Sequence, residues 1–261
     1  MKPTPRLEAT VRSAYEDPAQ VGAFSAIADE GLTPFEAALV RQAFAPGQRL
    51  LDVGCGGGRE AVPMARAGFR LVAMDVSFAM VRAATTRAAE RGVSFAAVVG
   101  SATALPFRPG AFDGVAMLGQ VIAHIPGRSG RIAALRAARH ALRPGGTLIM
   151  TTHNRRCHWK FSLYFAWVNR WRRLMRRLGR GLELGDYDRW STRISRTRAS
   201  RPVFFHMYDL DEAAADLREA GFEVLDGRAR AEFEAGRADA TLRRRDYLLG
   251  FVARRPADSR T

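Results

Sequence analysis

Apolar positions recur along the chain in two alternating rhythms. Short apolar runs, "RLLDVG" (49–54), "RLVAMD" (70–75), "VSFAAVVG" (93–100), "AFDGVAMLG" (111–119) and "TLIMTTH" (147–153), read as buried strands. Between them lie stretches of helical periodicity. "TPFEAALVRQAF" (33–44) begins with Thr33 as a cap and Pro34 in the first turn, and Phe35, Ala38, Leu39 and Phe44 share an apolar face. "REAVPMARAG" (59–68), "AMVRAATTRAAERG" (79–92) and "SGRIAALRAARHALRPGG" (129–146) follow, each closed by glycine. Strands alternating with helices of crossover length predict a doubly wound, mostly parallel α/β sheet.

The rhythm breaks after His153. Residues 158–178 predict one amphipathic helix, with Phe161, Tyr164, Phe165, Val168, Trp171, Met175 and Leu178 at helical spacing and arginines filling its second half. A basic, turn-rich segment runs on to Pro202. Helical periodicity resumes over 209–222, capped by Asp209 or Asp211. Two strands, "EVLDGRARAEF" (223–233) and "DYLLGFVARR" (246–255), complete a seven-stranded sheet. The expected organisation is an N-terminal helical lid (1–45), a core (46–153 and 206–254), a basic helical insertion after the fifth strand (154–205) and a tail (255–261).

Charge sharpens this division. The net charge is +15, and only Lys2 and Lys160 of the 41 basic residues are lysines. Residues 155–201 hold fourteen cations against Glu183, Asp186 and Asp188, most of the net charge. Two cysteines, Cys55 and Cys157, give no disulfide framework and suit a reducing compartment, so a cytoplasmic protein is expected. No window is long and apolar enough to span a membrane, no secretory signal is read at the N-terminus, and no metal-ligand set is read.

The densest chemistry is "LLDVGCGGGREA" (50–61), where four glycines fall within five residues at a strand-to-helix turn. Asp75 ends the next strand, 21 residues after Gly54. A glycine loop with an acid at that distance suits a nucleoside whose ribose diol the acid accepts. The dinucleotide fingerprint fails in its last place, which is Arg59.

Asp52, Gly54, Gly56 and Gly58 instead form a D-x-G-x-G-x-G pattern. It closely resembles the first motif of class I S-adenosylmethionine (SAM) dependent methyltransferases. "VAMDVSFAMV", "GSATALPFRPGAFDGV" and "ALRPGGTLIMTTH" resemble later parts of that family in the same order, over roughly 50–153 plus the last two strands. The resemblance implies a Rossmann-like fold and SAM as cofactor, leaving S-adenosylhomocysteine as product. It implies that Gly54–Gly58 pass under the homocysteine moiety and ribose, that Asp52 helps orient the amino group, and that Asp75 accepts both ribose hydroxyls. Val76 and Met80 would flank the adenine, Ser101 and Ala102 would meet its edge, and Gln120 would face the methionine end. Serine stands at 101 where the family usually has aspartate.

Methyl transfer from a sulfonium needs alignment of donor and acceptor and, for a protonated acceptor, a base. His124, His153 and His206 stand near strand tips; Tyr15 and Glu36 belong to the lid. His124, His153 and Tyr15 are the candidate catalytic residues. A small molecule, possibly acidic, is the preferred acceptor, through N or O. The basic insertion leaves open an RNA acceptor, for which "LGDYDRW" and "PVFFHMYDLDEAAADLREAGF" faintly resemble tRNA wobble-uridine methyltransferases, and peripheral membrane contact through 158–178. A non-catalytic SAM-binding scaffold is the alternative of another class.

Overall fold

The structure is a computed structural model that describes residues 5–180, 184–194, 197–243 and 246–257. Seven strands form one sheet: β1 (Arg49–Val53), β2 (Arg70–Asp75), β3 (Ala96–Val99), β4 (Phe112–Met117), β5 (Leu142–His153), β8 (Glu223–Ala229) and β9 (Leu248–Arg254). Their order is β3-β2-β1-β4-β5-β9-β8. All neighbours up to β5 pair in parallel, and β9 runs antiparallel to both its neighbours.

The sheet is buried on both faces. Leu51, Val53, Met117 and Leu148 pack with Leu135 of α6 (Arg128–Ala141) and Leu217 of α8 (Leu210–Glu219). Leu50, Leu71 and Ile149 pack on the other face, against Phe35 and Leu39 of α3 (Pro34–Ala43), Met64 of α4 (Ala61–Arg66) and Ala84 of α5 (Phe78–Glu90). Strands covered on both sides must read as continuous apolar runs, as these do. The caps read at Thr33 and at Asp209 or Asp211 form, and a further one forms at Ser77. Thr33 and Glu36 close a reciprocal capping box on α3, Ser77 accepts from Met80 N at the head of α5, and Asp209 rather than Asp211 caps α8.

Helices α1 (Pro5–Glu16) and α2 (Pro18–Ile27) precede this core. Leu7 and Val11 of α1 pack on Phe204, a contact worth about 1.5–3 kcal/mol for each buried side chain. Phe204 belongs to a feature that differs from expectation. The segment read as turn-rich forms an antiparallel ribbon, β6 (Asp188–Ile194) on β7 (Thr197–His206). Arginines occupy many of its positions and mask the strand pattern. Residues 230–233, read as the end of a strand, fall in the short helix α9 (Arg230–Glu234), because β8 stops at Ala229. β5 starts at Leu142, inside the expected helix end. Residues 258–261 of the expected tail lie outside the described residues.

Helix α7 (Trp159–Arg177) forms where predicted, but its apolar residues do not share one face. Phe165 and Val168 are buried, whereas Tyr164, Trp171 and Leu178 point outward. The inner face is completed by polar side chains. Asn169 accepts from the Tyr187 amide, and Arg172 donates to the carbonyls of Gly185 (2.6 Å) and Asp188 (2.9 Å).

Candidate active site

The chain winds outward from β1 through β2 to β3, then returns to lay β4 on the other side of β1. The crevice beyond the carboxyl ends of β1 and β4 is thus a topological switch point, where doubly wound sheets bind ligands. A cavity of about 740 Å³ occupies it. Strand order gives the cavity two ends. Residues that follow β2 and β3 line one; residues that follow β4 and β5, or precede β9, line the other.

The glycine loop forms the floor between them. Gly54 and Gly56 both have positive φ, 75° and 50°. A Cβ at Gly54 would lie 2.4 Å from Val121, so tight packing excludes it. A Cβ at Gly56 would meet nothing within 4 Å, because the space beside that backbone is the cavity. Gly58 is different: it does not line the cavity, and packs against Ala84 of α5. Asp75 accepts from the amides of Gly56 and Ser77, each at 2.9 Å. A carboxylate offers about four lone-pair directions, so accepting capacity remains for a diol. Burial raises the Asp75 carboxyl above its usual range even against the amides of Ser77, Gly56 and Val76. Val76 and Met80 line the same end. So do Ser101 and Ala102, with the Ser101 hydroxyl bonded to Thr103 Oγ1 at 2.9 Å.

Beside the loop lies a surplus of acid. Arg59 donates to Glu36 at 2.6 Å and pairs with Glu60. Asp52 is buried beneath them, outside the cavity lining, with one carboxyl oxygen unpartnered among the described residues. Burial would raise Glu36, but bonds from Arg59 and Thr33 hold it below the usual range. Burial pushes Glu60 up to about 7, with Arg59 opposing and Glu36 reinforcing. Asp52 goes well up through burial and the charge of Glu60. Three carboxyls around one guanidinium suit a ligand whose own charge is positive.

The far end is aromatic and neutral. His124 Nδ1 lies 2.9 Å from the Phe204 carbonyl. A carbonyl only accepts, so Nδ1 carries the proton and Nε2 keeps its lone pair. Surrounding protein pushes His124 down to about 4, against that bond. His153 is buried, neither ring nitrogen has a partner among the described residues, and burial reinforced by His124 and Arg189 takes it down to about 3. Both rings flank Phe205, at 4.7 and 5.0 Å between centroids, and His153 also contacts Tyr247 at 4.7 Å. Tyr15 meets His124 edge-on at 5.8 Å. Burial and the charge of Asp75 raise the Tyr15 phenol well above normal, so it stays protonated and keeps a hydrogen to donate. Gln120 sits among them with φ 61° and ψ 26°, its amide held by Thr151 Oγ1 at 3.2 Å.

One cavity therefore gathers Tyr15, Glu36 and the residues placed after each of the first five strands. It does not gather His206, which is buried between Asp188 (2.8 Å) and Glu212 (2.9 Å), where it ties β6 and β7 to α8. Sequence reasoning missed Arg59, Glu60, Phe205 and Tyr247. The first two directly follow the glycine loop, a position that could have flagged them. Phe205 and Tyr247 come from distant segments and carry no spacing signal.

Comparison with known proteins agrees with this geometry. A family model described as a methyltransferase domain matches residues 50–146, from β1 to the entry of β5. The ubiquinone biosynthesis O-methyltransferase of Xanthomonas campestris pv. campestris (strain B100) is 39% identical over 111 residues, 42% of this chain and 45% of that protein. The protein of the same name from Cereibacter sphaeroides (strain ATCC 17029 / ATH 2.4.9) is 31% identical over 183 residues, 69% of this chain and 62% of that one. The chain thus spans less than two thirds of these curated relatives. A SAM-dependent methyltransferase from Methanosarcina mazei superposes with a TM-score of 0.66 at 18% identity, covering 87% of this chain and all of that one, a likeness of fold. The glycine loop, the acid at the tip of β2 and the sheet order agree with the comparisons: residues 50–146 match a methyltransferase domain, and the chain shares the fold of SAM-dependent methyltransferases.

Proposed function

We propose that the protein transfers a methyl group from SAM to an oxygen of a small molecule with a planar, unsaturated ring. The observation that carries this reading is the pairing of ends in one cavity. A diol-accepting, acid-rich half adjoins a neutral aromatic half that presents His124 Nε2. The residues present fit SAM. Asp75 has free lone pairs for the ribose, and Glu36 and Glu60, which line the cavity, suit the cationic methionyl end. When bound, SAM supplies a methyl already activated by its sulfonium.

The protein's own part is alignment and proton handling. Gly56 lets the backbone approach, and Asp75 with Met80 sets the nucleoside. Phe205, His153 and Tyr247 hold a flat acceptor by ring contact. His124 Nε2 accepts the hydroxyl hydrogen, so an oxygen lone pair faces the methyl, and takes the proton as the oxygen–carbon bond forms. Tyr15 donates a hydrogen bond to the acceptor. The relatives named O-methyltransferases support oxygen as the receiving atom. An RNA acceptor finds less support. Arg155, Arg156, Arg172 and Arg176 of the basic segment are engaged by acids or carbonyls of this chain.

Calorimetric titration with SAM and S-adenosylhomocysteine, followed by labelled SAM with fractionated small metabolites, tests the proposal. Binding with label in a phenol- or enol-bearing fraction is expected. Asp75→Ala should weaken SAM binding by about 1.5–3 kcal/mol, the loss of hydrogen bonds to a charged group. Unchanged affinity in that variant removes the cofactor assignment.

A further inference from the structure

Helix α7 carries a stripe that the fold leaves uncovered. Trp159, Leu163, Trp167, Trp171, Leu174 and Leu178 are each between 47% and 71% exposed. At about 100° per residue, the last five fall within about 80° of one another. Three of the four tryptophans of the chain stand in this row. The opposite face cannot release the helix to bury it, because Phe165, Val168, Asn169 and Arg172 are themselves buried and bonded inward. A large contiguous apolar patch kept in water marks an interaction surface.

The charges beside the stripe say what covers it. Lys160, Arg170 and Arg177 are exposed along it and Arg180 follows the helix, none with an acidic partner among the described residues. No acidic residue occurs between 154 and 182. A second copy of this chain brought face to face would set these cations against their own kind. An anionic phospholipid surface offers both complements at once, acyl chains for the apolar row and phosphates for the rim. Tryptophan, whose ring straddles apolar and wet surroundings, is the residue such an interface favours. The helix is about 28 Å long at 1.5 Å per residue, and no described helix is long and apolar enough to cross a membrane. It can lie in the interface and not span it.

We infer that α7 docks the protein on anionic phospholipid membranes, with Trp167 and Trp171 inserted and Arg170 and Arg177 on the phosphates. The inference does not depend on methyl transfer, and SAM calorimetry run on every variant separates the two. The experiment is co-sedimentation with vesicles of phosphatidylcholine, alone or mixed with phosphatidylglycerol, at low and high salt. The wild-type protein should sediment with the mixed vesicles, little with phosphatidylcholine alone, and less at high salt. Trp167→Ser/Trp171→Ser alters only exposed positions and should abolish binding while SAM affinity stays unchanged. Arg170→Glu/Arg177→Glu should lower partitioning by about tenfold or more, at about 1 kcal/mol for each cation near such a surface. Absence of sedimentation with mixed vesicles overturns the inference. So does retention by the tryptophan variant, or equal binding to neutral vesicles. A dimer in sedimentation velocity that the tryptophan variant abolishes, without vesicle binding, would assign the stripe to a second copy. Salt-sensitive RNA binding without vesicle binding would assign the rim to nucleic acid.

Discussion

Gln120 holds a left-handed backbone (φ 61°) at the cavity's centre, where only glycine is free of strain. That costs about 1 kcal/mol, retained because the conformation turns the side chain toward the cavity after β4. Gln120→Gly should therefore raise resistance to urea by up to about 1 kcal/mol and at the same time weaken SAM binding; calorimetry and equilibrium unfolding on one sample check both. His124→Ala should lower kcat by about a hundredfold, the usual weight of a positioned proton acceptor, and leave SAM affinity within about twofold of wild type. Equal losses in both would make the ring a structural support. At this scale the sequence was most transparent where chemistry restricts residue type. Gly56 and Asp75 are such positions, since few side chains could replace them. Glu60 was opaque, because a carboxyl raised to about 7 looks on paper like any other glutamate. Its character comes from burial and from Glu36, which pure spacing does not show.

Among elements, α3 does two jobs at its first turn. Glu36 accepts from the Thr33 amide to close the helix cap, and it holds Arg59 beside the glycine loop. Glu36→Ala removes both. It should cost about 2–3 kcal/mol, combining a lost cap with a half-broken buried ion pair whose remaining partner is Glu60. A loss near 1 kcal/mol in thermal or urea unfolding would mean that Glu60 alone satisfies Arg59. The parallel strands and their helices were legible because burial on both faces forces apolar runs. The β6–β7 ribbon was not, since arginines interrupt its alternation of apolar and polar residue types. The division of α7 into two apolar faces was hidden for a related reason. Asn169 and Arg172 occupy inward positions because carbonyls and an amide await them, and hydropathy alone assigns such residues to solvent.

For the whole molecule, the neutral histidines link stability to acidity. His124 and His153 titrate near 4 and 3 when folded, against about 6.5 when unfolded. Above pH 6.5 neither state binds these protons and they contribute nothing. As pH falls from 6.5 toward 4, the unfolded chain takes up protons that the fold refuses, so stability drops by about 1.4 kcal/mol per pH unit for each ring. Urea midpoints measured from pH 7.5 to 5 should fall, and His153→Phe should flatten part of the slope; an identical slope in that variant would place the effect elsewhere. The charge of the molecule is likewise a matter of location. The arginines nearest the core are engaged by Asp209, Glu212 and Asp186, while those along the outer side of α7 are left to the surroundings.

Tyr247 joins these two regions. Its ring lies 4.7 Å from His153 at the cavity wall and 6.2 Å from Phe161 in the first turn of α7. A ligand that shifts the ring presses on the helix, and a force on the helix reaches the ligand. Any cooperativity carried this way runs equally in both directions, so the factor by which one event favours the other is returned in full. Cutting the side chain back at 247 would loosen the ligand's hold at the cavity wall, spare the outer face of the helix, and break this link between the two.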